Sequence, residues 1–146
     1  MGLICRHRLT ARFRDCDPLG HVNHAVYLTY LEQARFILWR RQLDFVVPTI
    51  GGARADREAS QPGFILAHAE VDYVSQARYG DELEIRLSLD AIGRTSFTYS
   101  YDVVGVPAAQ RVATAKTVLV LFDYAQQRPV PIDDDLRVRL ARPIVD

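Results

Sequence analysis

Between residues 24 and 43 apolar side chains recur at helical spacing. Tyr27, Leu31, Ala34 and Leu38 stand at i, i+4, i+7 and i+11, a single stripe along one helix. Val26, Tyr30 and Ile37 widen the stripe, and Phe36 and Trp39 lie off it. A helix with apolar groups around much of its circumference must be wrapped by other structure. Asn23 is a suitable N-cap, because its side-chain oxygen can accept from the free N–H groups of the first turn.

The rest of the chain supplies strands to do the wrapping. Over residues 5–14 Cys5, His7, Leu9, Ala11 and Phe13 alternate with Arg6, Arg8, Thr10, Arg12 and Arg14, the pattern of a half-buried strand with a solvated arginine face. Four more strand signals follow the helix, at 64–75, 82–92, 95–104 and 111–123. In the second of these Leu83, Ile85, Leu87 and Leu89 share one face, and in the third Phe97, Tyr99, Tyr101 and Val103 do. Gly93-Arg94 and the stretch around Gly105 and Pro107 are short turns, which favour an antiparallel meander. Residues 46–63 carry Pro48, Gly51, Gly52, Pro62 and Gly63 and read as a long connection. A short helix is expected over 133–141. The expected fold is α+β: a five-stranded antiparallel sheet around one long helix, in one domain over residues 1–146. The 76–81 and 92–95 connections are too short for the second helix of a ferredoxin-like fold.

Composition narrows the partners. Lys plus Arg and Asp plus Glu number 18 each in 146 residues, so net charge does not favour nucleic acid. No stretch is long and apolar enough for a bilayer span. Cys5 and Cys16 are the only cysteines, which fits reduced thiols in a cytoplasm rather than a disulfide framework. The opening MGLICRHRLTARF lacks the apolar core of a signal peptide, and Arg6 stands where a myristoylation motif has Ser or Thr.

Just before the helix, RDCDPLGHVNH packs two aspartates, two histidines and an asparagine together. FRDCDPLGHVNHAVYLTYLEQAR resembles the opening signature of the hotdog-fold acyl-CoA thioesterases of the 4-hydroxybenzoyl-CoA thioesterase type: an Asp-x-Asp-x-x-Gly loop, His-Val-Asn, Tyr-Leu and a helical Glu-x-x-Arg. VDYVSQARYGDELEIR and TAKTVLVLFD are similar to later motifs of that family, so the resemblance spans about residues 5–124. It implies a hotdog fold, homodimers or homotetramers joined sheet edge to sheet edge, substrate at the subunit interface, and no cofactor. Many relatives carry Asn-Asn where this chain has Asn23-His24.

The family's catalytic aspartate falls on Asp17. Pro18 pushes Asp17 away from helical conformation and Gly20 permits a sharp turn, which together hold one carboxylate beside the helix start. A helix N-terminus offers unpaired N–H groups and partial positive charge to a developing oxyanion, and losing one such donor costs roughly 10²–10³ in rate. The backbone N–H of His24 is the expected oxyanion donor. Asn23, Tyr27 and Arg78 are the expected substrate contacts: Asn23 as cap or holder of a water, Tyr27 with Tyr30 and Phe64 along an apolar pocket, and Arg78, like Arg111, near coenzyme A phosphates. Asp15 reads as a structural partner, beside Arg14.

Other readings compete. A bare turn or cap explains Asp17 without catalysis. His21 and His24 with the two aspartates suggest a metal, but not in the His-Glu-x-x-His helical pattern, and no metal is expected. No Gly-x-Ser-x-Gly elbow is present. Glu32 is a rival carboxylate, read more simply as a pair with Arg35, and His68 reads as a core or interface histidine. The expected activity is hydrolysis of an acyl-CoA, or acyl carrier protein, thioester. The alternatives are an acyl-thioester-binding hotdog protein without turnover, or an enoyl-thioester hydratase.

Overall fold

The computed structural model describes residues 2–43 and 63–144. Strand β1 (Leu3–Thr10) leads through a 3-10 turn at Phe13–Asp15 to helix α1 (Val26–Leu43). Then come β2 (Gly63–Tyr73), β3 (Glu82–Ile92), β4 (Ser96–Gly105), β5 (Gln110–Asp123), a two-residue β6 (Arg128–Pro129) and a short helix α2 (Asp134–Leu140). Apart from Gly63, which opens β2, the connection expected over residues 46–63 lies outside the described residues.

The strands form one antiparallel sheet in the order β1-β3-β4-β5-β2, with β6 added to β5. The sheet therefore has five long strands as expected, and β6 is a short addition. Ile85 pairs with Val103, and Thr117 is flanked by Tyr99 on β4 and Ala69 on β2. The period-two faces on β3 and β4 hold throughout: Leu83, Ile85, Leu87, Leu89, Phe97, Tyr99, Tyr101 and Val103 are all buried. They meet the helical stripe, whose Leu31, Ala34 and Leu38 are buried too. Trp39 packs its ring 4.8 Å from that of Phe64 and donates its indole N–H to Tyr99 Oη at 2.9 Å. One long helix packed on a single antiparallel sheet is the arrangement expected of a hotdog fold.

β1 stops earlier than its alternation predicts. Ala11 exchanges backbone bonds with Asp81 and Gly80, but the next N–H, from Arg12, goes to the Asp15 carboxylate and leaves the ladder. Phe13 consequently leaves the inward face and is 79% exposed. The helix begins at Val26 because Asn23 accepts the Ala25 N–H on Oδ1 (2.9 Å) and the Val26 N–H on its carbonyl. At the far end Gln42, buried, donates to the carbonyls of Leu140 and Arg142, tying α1 to α2.

Two expectations about charge are corrected. Arg35 does not pair with Glu32: its guanidinium is buried against the sheet and donates to Tyr101 Oη at 3.3 Å, while Glu32 faces outward. The arginines of the polar strand face are not simply solvated. Arg86, Arg8 and Arg6 converge on Glu84 at 2.7, 3.2 and 3.5 Å, bury its carboxyl and hold it below the usual carboxylate range.

No helix among the described residues is long and apolar enough to cross a membrane.

Candidate active site

The polar stretch folds as two nested turns between β1 and α1. In the first, Asp15 is buried and fully engaged. Its carboxylate accepts the Arg12 backbone N–H at 2.9 Å, the Arg12 guanidinium at 3.0 Å and the Tyr30 hydroxyl at 2.8 Å. Burial pushes this carboxyl up, but the Arg12 and Tyr30 hydrogen bonds outweigh burial and hold it below its ordinary value. Asp15 anchors the loop to α1, with Arg12 rather than the expected Arg14 as its cation.

The second turn is closed by Asp17. Its N–H donates to the His21 carbonyl at 2.8 Å, and its own carbonyl accepts from Gly20 at 3.0 Å. Gly20 sits at φ +84°, the left-handed conformation that the tight reversal after Pro18-Leu19 requires. Cys16 and Val22 bridge across the base of the turn. Oδ1 of Asp17 accepts the N–H groups of Leu19 (2.9 Å) and His21 (3.3 Å). Oδ2 takes none of these bonds, and no ion pair reaches Asp17 among the described residues. One oxygen thus fixes the half-exposed carboxylate, and the other takes no hydrogen bond among the described residues.

Next to this turn the helix start is held from several sides. Asn23 N–H donates to the Asp15 carbonyl at 2.9 Å, and Val22 N–H to the Ala77 carbonyl at 2.8 Å. Tyr73, at the end of β2, donates its hydroxyl to the His24 carbonyl at 2.6 Å and places its ring edge-on to those of His24 and Tyr27. Arg78, in the connection from β2 to β3, is exposed and bridges His21 through the backbone. The structure therefore gathers Asp17, Asn23, His24 and Arg78 around one loop and one helix end. Sequence reasoning missed Tyr73; its place at the end of an alternating strand was the available signal.

Other expected residues go elsewhere. Tyr27 is buried, edge-on to Tyr30 and Tyr73, so it lies beneath the helix start rather than open to it. Tyr30 is engaged by Asp15, and Phe64 by Trp39. Arg111 pairs with Asp102 at 3.4 Å. His68 is not a core residue: its side chain is exposed and meets Glu70 at 3.3 Å. Among the described residues no group of three or more His, Cys, Asp or Glu side chains is placed to hold a metal. Two surface cavities, of about 340 and 190 Å³, are lined by Arg6, Arg8 and Glu84 and by Ser75, Gln76 and Gln110 among others. Neither is lined by Asp17 or His24.

Comparison with known proteins identifies the arrangement. Residues 11–140 match the family model described as the thioesterase-like superfamily. The chain belongs to that superfamily. It is 27% identical over 133 residues to the long-chain acyl-CoA thioesterase FadM of Escherichia coli strain K12, covering 91% of this chain and 94% of that one. It is 28% identical over 128 residues to the 1,4-dihydroxy-2-naphthoyl-CoA hydrolase of Synechococcus elongatus, covering 86% and 87%. A thioesterase of Thermus thermophilus, solved with coenzyme A and Zn, superposes with a TM-score of 0.72 at 33% identity, covering 92% of this chain and 89% of that one. The expectation of a thioester hydrolase on a hotdog fold holds. The superfamily is the level these relatives support: they are named for a long-chain and a naphthoyl substrate and do not single out the 4-hydroxybenzoyl-CoA type.

Proposed function

We propose that this thioesterase hydrolyses acyl-CoA esters, with Asp17 and the backbone N–H of His24 as the catalytic pair at a site completed by a second copy of the chain. One observation carries the reading. Around the helix start the neighbouring backbone groups are committed to fixed partners, yet the His24 N–H has none among the described residues. A rigid, unengaged donor at a helix N-terminus is what a developing oxyanion requires. The free Oδ2 of Asp17, on the adjoining turn, supplies the carboxylate that attacks the acyl carbon or draws a proton from the attacking water. Thiolate then leaves as coenzyme A; where Asp17 itself has attacked, water cleaves the resulting mixed anhydride, and by either route a free acid remains. Asn23 and Arg78 flank the loop as substrate contacts, with Arg78 exposed to meet phosphate oxygens.

The open edge of β2 supports the two-copy site. Among the described residues that edge pairs with nothing, and Leu66, Tyr73 and Val74 are exposed along it. Acyl-CoA as substrate is supported by the two enzymes named above and by the coenzyme A bound to the Thermus protein. The readings as a binder without turnover or as a hydratase find no support there, since all three relatives are named as thioester hydrolases.

The test is a panel of aliphatic and aromatic acyl-CoA and acyl carrier protein thioesters, with released thiol followed by a thiol-reactive dye. Wild type should release thiol. Asp17→Asn should stay folded and lose roughly 10²–10⁴ in kcat. A folded Asp17→Asn protein as active as wild type would remove Asp17 from the reaction.

A further inference from the structure

We propose that Tyr73 is a positioning residue for catalysis: its hydroxyl locks the His24–Ala25 peptide and so aims the neighbouring His24 N–H. The inference rests on the proposed role of that N–H. The peptide group that carries it and the two on either side are each tied down. Asn23 N–H is held by the Asp15 carbonyl, and the Asn23 carbonyl by the Val26 N–H, both at 2.9 Å. Ala25 N–H is held by Asn23 Oδ1 at 2.9 Å. The His24 carbonyl is the last free group of the frame, and Tyr73 takes it at 2.6 Å.

Three of these ties are local, made by residues of the loop and the helix start. The fourth comes from β2, 49 residues away in sequence. It is the one that fixes the loop's end to the sheet rather than to itself. Without it the His24–Ala25 peptide is held only through its Ala25 N–H on Asn23 Oδ1, a single tie about which it can tilt. A donor misaimed by a fraction of an ångström loses much of its advantage in the transition state and little in the ground state. The hydroxyl also withdraws charge from the carbonyl it binds. It touches no reacting atom, so its role is geometric.

The decisive variant is Tyr73→Phe, which keeps the ring against His24 and Tyr27 and removes only the hydroxyl. In steady-state assays with an acyl-CoA ester that the wild type turns over, kcat should fall about 10-fold while KM stays within about twofold. The far-ultraviolet circular dichroism, the thermal midpoint and the oligomeric mass should match wild type. In isotope-labelled protein without substrate, the His24 carbonyl carbon and Ala25 amide signals should shift in the variant, which reads the lock without any turnover. A kcat equal to wild type overturns the inference, as does a loss confined to KM or to the fraction of folded protein, or unmoved His24 and Ala25 signals. In those cases an inactive Asp17→Asn protein still leaves the hydrolase reading standing. A wild type that releases thiol from no ester sinks the hydrolase reading, and this role with it.

Discussion

Asp15 and Asp17 stand two residues apart, and their surroundings differ in every respect that matters to a carboxylate. Asp15 is buried, bonded to Arg12 and Tyr30, and held below its ordinary pKa. A lowered folded-state value means its stabilisation is fully present above the unfolded pKa of about 4 and is lost as pH falls through the folded one. Glu84, under three arginines, behaves in the same sense. Urea midpoints measured from pH 7 downward should therefore fall below about pH 4. Asp15→Asn should be less stable at pH 7 and show a shallower acid limb. An acid limb as steep as wild type would show that Asp15 is not among the linked groups. Arg35 is the opposite case: among the described residues its buried guanidinium has Nε unpartnered and a single hydrogen bond, to Tyr101. Tyr101 in turn shares its hydroxyl with Thr117 at 2.7 Å. Removing that bond in Tyr101→Phe should cost about 1.5–3 kcal/mol, since the charge is left without its acceptor. Arg35→Met, filling similar volume with no charge, should equal or exceed wild type in denaturant midpoint.

At the scale of elements, the helix–sheet contact depends on one residue more than its place in the sequence suggests. Trp39 lies off the apolar stripe, yet it joins α1 to β2 through Phe64 and to β4 through Phe97 and the Tyr99 hydroxyl. Trp39→Ala removes a buried indole and strands the Tyr99 hydroxyl. The expected loss is about 3–5 kcal/mol in urea unfolding, against roughly half of that for Trp39→Phe. Trp39 is the only tryptophan, so native fluorescence reports this contact alone: a blue-shifted emission that moves red in one transition as the sheet and helix separate. Helix α1 and strands β1, β3 and β4 were legible because each keeps one period over its length, whereas the two-residue β6 is too short to carry one. Two of the boundaries that moved, at Thr10 and Val26, are places where a side chain captured a backbone N–H. Asp15 took one from Arg12 and Asn23 one from Ala25, which periodicity does not register.

On the scale of the whole molecule, the two sheet edges are unequal. β1 is capped near its start by Ile144, which pairs with Cys5, whereas β2 ends the sheet with its outer edge unpaired among the described residues. An open edge carrying exposed apolar side chains is a pairing surface. The proposed two-copy site predicts a species of about 33 kDa in analytical ultracentrifugation, twice the 16.6 kDa chain. Leu66→Lys on that edge should shift it toward monomer and lower activity in step with the dissociation. A monomer with full activity would remove the second copy from the site.

What the sequence determined by itself was everything governed by neighbours: the stripe of α1, the alternating faces of β3 and β4, the turn that Pro18 and Gly20 make around Asp17, and the motif that carries the superfamily. What only the tertiary structure decided was which polar groups are already engaged. Tyr73 reaches His24 across 49 residues and Arg35 reaches Tyr101 across 66. Three arginines from two strands close on Glu84. Periodicity records which face a side chain takes, because that follows from backbone geometry every two or 3.6 residues. A hydrogen bond depends on where two faces meet, and that is settled when helix and sheet pack. The free N–H at His24 is therefore a product of the fold: it is open because the groups around it have found partners elsewhere.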